Sequence, residues 1–225
     1  MSRWLLLAAV YAWLGFTVGY FFRKGWEALR GGHLADTGAA GGERVDWIDE
    51  DGRLRETVPR AEMRRRNLLH RVTHTAVFHP DGRVFVQQRT HTKDVYPGLF
   101  DVCVGGTVVS GETFDRNAFR ELAEEMGVRG VPLYPLFRHR FRDDHTNNLI
   151  QVYACCHAGP FRLQPEEVAG GDWYTLAQVE ALIEAGRLCP DSAAGWRLFR
   201  QAHPGPRPFD AVVRQVTPLA PPEDL

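Results

Sequence analysis

Three kinds of hydrophobic pattern divide this chain. From Trp4 to Phe22 the residues WLLLAAVYAWLGFTVGYFF carry no charge. A helix of that length would reach about 28 Å, close to the roughly 30 Å of a bilayer's hydrocarbon core. Arg3 precedes the run, and Arg23, Lys24 and Arg30 follow it. Residues 1–24 are therefore expected to associate with a membrane through residues 4–22, and the basic flank keeps the following domain cytoplasmic, at the inner face. A start codon placed too early, a signal segment and a buried helix are the competing readings. Residues 25–44, ending in the small, polar stretch GGHLADTGAAGGE, read as a linker.

From residue 45 to 203 the apolar positions recur at strand and helix periods. VDWIDEDGRLRETV gives two short extended runs around Asp51-Gly52, a hairpin pattern. RAEMRRRNLLH predicts a short basic helix. RVTHTAVFHPDGRVFVQQRT predicts two strands joined at Pro80-Asp81-Gly82, and NLIQVYACCHA another strand. TLAQVEALIEAG predicts a helix with Thr175 and Gln178 as a capping box and Gly186 at its end, and PDSAAGWRLFRQAH a last helix. Residues 204–225 include six prolines and are expected to form an irregular tail, free or docked on the domain. Strands mixed with helices throughout predict an α/β (α+β) layered fold.

The sharpest pattern lies in GGTVVSGETFDRNAFRELAEEMGV, Gly105 to Val128. Thr113 suits an N-cap and Gly127 a C′ position, which predicts a helix from Phe114 to Met126. At 100° per residue, Phe119, Leu122, Ala123 and Met126 share a core face, while Glu121, Glu124 and Glu125 crowd a wet face. Like charges at this spacing repel. One reading is a solvated acidic face; the other is that a divalent cation relieves the repulsion, because hard cations take oxygen ligands.

Composition changes this picture little. Apolar residues are 44%, charged residues 24% and the net charge is −1, so nothing suggests binding to a nucleic acid polymer. The four cysteines, at 103, 155, 156 and 189, form no C-x-x-C pair, which argues against a zinc site or disulfide framework. The nine histidines show no metal-ligand spacing.

The spacing from Gly106 through Glu112 to Arg120-Glu121, Glu124-Glu125 and Gly127-Val128 resembles the Nudix box, G-x5-E-x7-R-E-U-x-E-E-x-G-U with U aliphatic, at every specified position. Residues 45–203 are further similar to the Nudix branch related to isopentenyl-diphosphate isomerase, through VDWIDEDGRLRETVPRAEMRRRNLLHRVTHTAVF and QQRTHTKDVYPGLFDV. The resemblance implies a Nudix fold, a mixed β-sheet between helices with the box as loop–helix–loop. It implies a pyrophosphatase-type hydrolase acting on a nucleotide or nucleoside diphosphate derivative, with water attacking phosphorus. By position, Glu121, Glu125, Glu124 and the Gly105 carbonyl are implied to hold Mg2+, with Mn2+ a substitute. Glu121 is a candidate general base, and Arg120 pairs with Glu112 to orient the glutamates. Arg89 and Lys93 are implied to hold the diphosphate, and a homodimer is allowed.

Two other readings remain. An isomerase would need a cysteine and a histidine near Gly105-Gly106-Thr107, histidine at 63 as well as His70, and acids at 146 and 148; Met63, Thr107, Thr146 and Asn148 stand there instead. A non-catalytic Nudix-fold module that binds a nucleotide or a protein as a sensor need not keep the glutamates, and this chain keeps Glu112, Glu121, Glu124 and Glu125 as well as Arg120. Substrate identity lies outside the box. Phe100, Phe141, Trp173 and Tyr174 are candidates to stack on a base, Asp143, Asp144 and Glu166 to supply a further ligand or base, and FRHRFRDDHTNN (137–148) is expected to be a substrate-facing loop.

Overall fold

The computed structural model describes residues 42–224. Strands β1 (Arg44–Ile48) and β2 (Leu54–Pro59) pair as an antiparallel hairpin whose turn contains Gly52 at φ 79°, and Asp49 Oδ1 accepts the backbone N–H groups of Asp51 and Arg53. Helix α1 (Arg60–Arg66) follows directly. The main sheet holds six strands: β3 (His70–Phe78), β4 (Val84–Arg89), β5 (Phe100–Asp101), β6 (Tyr134–Arg142), β7 (Asn147–Cys156) and β8 (Val168–Tyr174). Its order is β5-β4-β3-β7-β6, with β8 also on β4. β3 and β7 run parallel from His70↔Asn148 to Phe78↔Cys156, and the other named pairings are antiparallel.

The sheet is covered on both faces, which explains its nearly continuous apolar central strands. On one face Ala76, Phe78, Val84, Val86 and Ala154 pack against α3 (Leu176–Glu184), α4 (Pro190–Ala202) and α5 (Pro208–Gln215) through Val179, Leu182, Trp196, Phe199, Phe209 and Val212. On the other face Val77, Phe85, Tyr153 and Cys155 meet Ala118, Phe119, Leu122 and Met126 of α2 (Phe114–Met126). The side chains alternate between faces along each strand, as the period of two requires. This is the mixed sheet between helices that the sequence led one to expect. Helix α2 has the expected limits: Thr113 Oγ1 accepts Arg116 N at 3.2 Å, and Gly127 closes it at φ 69°. The capping box of Thr175 and Gln178 is formed in α3. All four cysteines are free.

Three expectations need correction. Among the described residues no helix is long and apolar enough to cross a membrane. The run 4–22, on which membrane association and the inner-face placement rested, lies outside the described residues. Residues 137–148 are not a loop. They are the end of β6, a turn at 143–146 and the start of β7. Phe137, His139 and Phe141 alternate with the exposed Arg138, Arg140 and Arg142, a strand pattern masked by its polar half. The Pro-rich C-terminal segment is partly helical. Pro208 pre-sets the first turn of α5, and Phe209 stacks 5.3 Å from Phe78. Leu219 then exchanges backbone hydrogen bonds with Leu133 at 2.7 and 3.2 Å, which docks the tail.

Candidate active site

The site begins where the chain leaves β5 and runs back beside β3. Thr75 and Val104 exchange backbone hydrogen bonds at 2.7 and 2.9 Å, and Thr73 N donates to Gly106 O at 3.0 Å. Between them sits Gly105. A Cβ there would lie 1.9 Å from the Thr73 carbonyl oxygen, so only glycine allows this approach. Gly106 is constrained from the other side: a Cβ would lie 2.9 Å from Glu121 Oε1. The bare glycine backbone thus forms the surface on which the Glu121 carboxylate rests.

Helix α2 brings four acids and one arginine together. Arg120 donates through Nε and Nη2 to the two Glu112 oxygens at 3.0 and 3.1 Å, and through Nη1 to Glu124 at 2.8 Å. Its Nη2 also lies 3.0 Å from Glu121 Oε1. Asn117 Nδ2 adds a bond to Glu112 at 2.9 Å. The expected wet face is only partly wet. The Glu124 side chain is 51% exposed, but that of Glu121 is 14% exposed and Glu125 is buried. The reason is tertiary: the segment after β7 is tied to the end of α2, with Arg162 N and Gln164 N donating to the carbonyls of Met126 and Glu125 at 2.8 and 2.9 Å, and the Glu125 carboxylate feels the charges of Lys93 and Arg89 from another part of the chain. Burial raises the pKa of Glu121 against the pull of Arg120, and pushes Glu125 up to about 7 despite Lys93.

Beside these carboxylates is a cleft lined by Arg60, Arg64, Arg89 and Lys93 together with Gly105 and Gly106. Arg89 is held by the Val95 carbonyl at 3.0 and 3.2 Å and lies 3.6 Å from Asp101. Lys93 pairs with Glu167. Deeper in, Asp101 accepts from Ser192 Oγ at 2.5 Å, and Asp191 Oδ2 lies 3.8 Å from His74 Nε2 and 3.5 Å from Asn148 Nδ2. Tyr96, at φ 52°, reaches across to Asp143 through a 2.5 Å hydrogen bond.

This geometry has relatives. A family model for the NUDIX domain matches residues 68–192, more than half of the chain. The chain belongs to the Nudix family. It is 37% identical over 171 residues to an uncharacterized Nudix hydrolase, PA4841, of Pseudomonas aeruginosa, covering 75% of this chain and 100% of that protein. It is 35% identical over 157 residues to the uncharacterized Nudix hydrolase YfcD of Escherichia coli K12, covering 70% of this chain and 86% of that one. The crystal structure of DR0079 from Deinococcus radiodurans superposes with a TM-score of 0.61 at 26% identity, over 69% of this chain and 98% of that chain. Nudix architecture is that of a hydrolase of acid anhydrides, cleaving a diphosphate in a nucleotide-like substrate, and Nudix domains generally depend on Mg2+.

The Nudix residues here fit such a cation. Glu121 and Glu125 are oxygen donors whose charge is penalised by burial and by a neighbouring carboxylate, Glu124 for Glu121 and Glu121 for Glu125, and two carboxylates plus substrate phosphates form an ordinary Mg2+ complement. Glu124 instead faces Arg120, and among the described residues no group of three histidine, cysteine or acidic side chains gathers closely enough to hold a metal by itself. Of the further candidates, Phe100, Phe141 and Trp173 are packed in the core clusters or against them, and Tyr174 likewise. Asp143 caps the 143–146 turn, and Glu166 contributes its backbone carbonyl to Thr90 while the neighbouring Glu167 faces Lys93. Arg60, Arg64, Asp191 and Glu167 were not singled out from the sequence. The i, i+4 spacing of the two arginines was visible, but not what lies beneath them.

The arginine at the centre of the Nudix helix makes a clear prediction. Arg120→Ala leaves Glu112, whose side chain is 8% exposed, and Glu121 without their cation. Removing the cation from this partly buried cluster costs about 1–3 kcal/mol, to be read from urea unfolding. Arg120→Lys recovers less than half of the loss, because an ammonium cannot bridge both Glu112 oxygens as the guanidinium fork does. Unfolding of Arg120→Ala at the parent's urea midpoint would remove this role.

Proposed function

We propose that this chain is a Mg2+-dependent hydrolase in which Glu121 and Glu125 are the principal cation ligands, with Glu124 and the Gly105 carbonyl available to complete the set. The observation that carries the reading is the buried Glu125 and the largely covered Glu121, one helical turn apart, with Glu121 resting on the glycine backbone beside a cleft of cationic side chains. When bound, Mg2+ neutralises phosphoryl charge and lowers the pKa of water. Arg89 and Lys93 bind the diphosphate and stabilise the charge that builds on its oxygens. Glu121 takes the proton of the attacking water, a role suited to a carboxylate raised by burial. Arg120 and Glu112 are positioning residues, since Glu112 holds Arg120 and Arg120 reaches Glu121 and Glu124.

The finer placement, in the branch related to isopentenyl-diphosphate isomerase, is supported by the shared segments before the box. Hydrolysis and not isomerisation is inferred within it, because Thr107, Thr146 and Asn148 line the cleft where an isomerase needs histidine and acids. Cys103 also lines the cleft, but burial pushes its thiol pKa well up.

The test uses the full chain with Mg2+ and a panel of nucleoside di- and triphosphates, ADP-ribose, nucleotide sugars, dinucleoside polyphosphates, NADH, coenzyme A and isopentenyl diphosphate, with products followed by phosphorus NMR. Metal-dependent cleavage of a diphosphate linkage in at least one compound is expected. Conversion of isopentenyl diphosphate to its allylic isomer without cleavage, or no reaction of any compound, overturns the proposal.

A further inference from the structure

Helix α1 precedes residues 68–192, the part matched by the Nudix family model, yet two of its side chains line the cleft. Arg60 and Arg64 are four residues apart and so share one face of the helix. The helix is rigidly seated. Met63 is buried among Val45, Val58 and Leu68, and Asn67, which caps the helix in the left-handed region at φ 47°, donates through Nδ2 to the Asp143 carbonyl at 2.7 Å. Arg60 Nη1 is steadied by Glu43 at 2.6 Å. Arg64 Nε lies 3.2 Å from Asp94 Oδ2, and its Nη1 donates to Thr146 Oγ1 at 3.4 Å. The Nε–H of Arg64 is buried and makes no hydrogen bond.

Four cations therefore converge on one cleft: Arg60, Arg64, Arg89 and Lys93. They feel one another, since Arg60 and Arg89 each disfavour the charged forms of Arg64 and Lys93. Each cation has one acidic neighbour: Glu43 for Arg60, Asp94 for Arg64, Asp101 for Arg89 and Glu167 for Lys93. The side chains of Glu43, Asp94 and Glu167 are 34%, 55% and 33% exposed, where an ion pair is worth little, and Asp101 also accepts from Ser192. Arg60 also lies close enough to Glu121 for the carboxylate to favour its charge, so α1 and the catalytic helix face the same space. Convergent, partly desolvated like charges persist where a polyanion joins them.

We propose that α1 is part of the substrate site, with Arg60 and Arg64 binding phosphoryl oxygens and completing, with Arg89 and Lys93, a four-cation cradle for the diphosphate. This inference rests on the hydrolase reading only for its kinetic arm. Inorganic pyrophosphate, titrated calorimetrically into the full chain with and without Mg2+, judges it independently. Losing one charge-assisted contact corresponds to roughly 10- to 100-fold in affinity. Arg60→Met and Arg64→Met should each weaken pyrophosphate by that factor and raise KM for the cleaved substrate while leaving kcat within about threefold. Arg65→Met, on the exposed face of the same helix, should change neither. Arg64→Lys, which keeps the charge, serves if the methionine variant fails to fold. Pyrophosphate affinity within twofold of the parent in both arginine variants, or no binding of pyrophosphate by the parent, overturns the inference.

Discussion

Glu125→Gln is expected to lower kcat/KM by at least about 100-fold, because a lost cation ligand forfeits several kcal/mol of transition-state stabilisation. The same substitution is expected to stabilise the metal-free protein at high pH. Burial raises the Glu125 carboxyl from an ordinary 4.5 to about 7, and the charges of Glu121 and Asp101 work in the same direction against Lys93 and Arg89. The folded state thus holds this proton more tightly than the unfolded chain. The contribution of Glu125 to stability is complete below about pH 4.5 and is lost as pH rises through 7. Glutamine escapes that loss. The Tm of Glu125→Gln minus that of the parent should therefore widen between pH 5 and pH 8, by several degrees at about 2–4 °C per kcal/mol in a domain of this size. Mg2+ should raise the parent's Tm at pH 8 and close much of the gap. A Tm difference independent of pH, or equal Mg2+ shifts in both proteins, would show that Glu125 is not the buried carboxylate the cation relieves.

Gly105→Ala should be the most damaging single methyl in the domain. The added carbon meets backbone, at 1.9 Å from the Thr73 oxygen and 2.7 Å from its carbonyl carbon, and φ is already +151°. No rotamer change relieves this. The segment carrying Gly105 must move away from β3, which breaks the bond from Thr73 N to Gly106 O and strains those between Thr75 and Val104. Loss of about 3–5 kcal/mol is expected from chemical unfolding. Gly111→Ala provides the comparison: its φ is +84° but nothing lies within 4 Å, so only the conformational cost of about 1 kcal/mol applies. Equal stability of the two variants would mean that the strand yields freely, and the rest of Gly106 against Glu121 could then not be a rigid feature of the site.

Helix α2 was legible from Phe114 to Met126, with both caps, because a helix and its caps are made by residues within four or five positions of one another. The hairpin at Gly52 and the capping box at Thr175 were legible for the same reason. The box residues could be read as one group, since Arg120, Glu121, Glu124 and Glu125 share two helical turns and Glu112 lies only eight residues before Arg120. Residues 137–148 misled because arginines on the outer face of β6 look, as a string, like a polar loop.

The sequence alone thus determined the strands and helices with local signals, the glutamate–arginine constellation, and through it the class of chemistry. Only the tertiary structure decided which carboxylates are buried, because the helix end carrying Glu125 is tied to the segment around Gln164 and its carboxylate faces the charges of Lys93 and Arg89, all distant in sequence. Only it brought Arg64 to Thr146, 82 residues away, and docked α5 on Phe78. Local periodicity records the face a side chain takes on its own element. Desolvation and convergence of charge depend on what packs against that face, and those partners are set by the chain's long-range contacts.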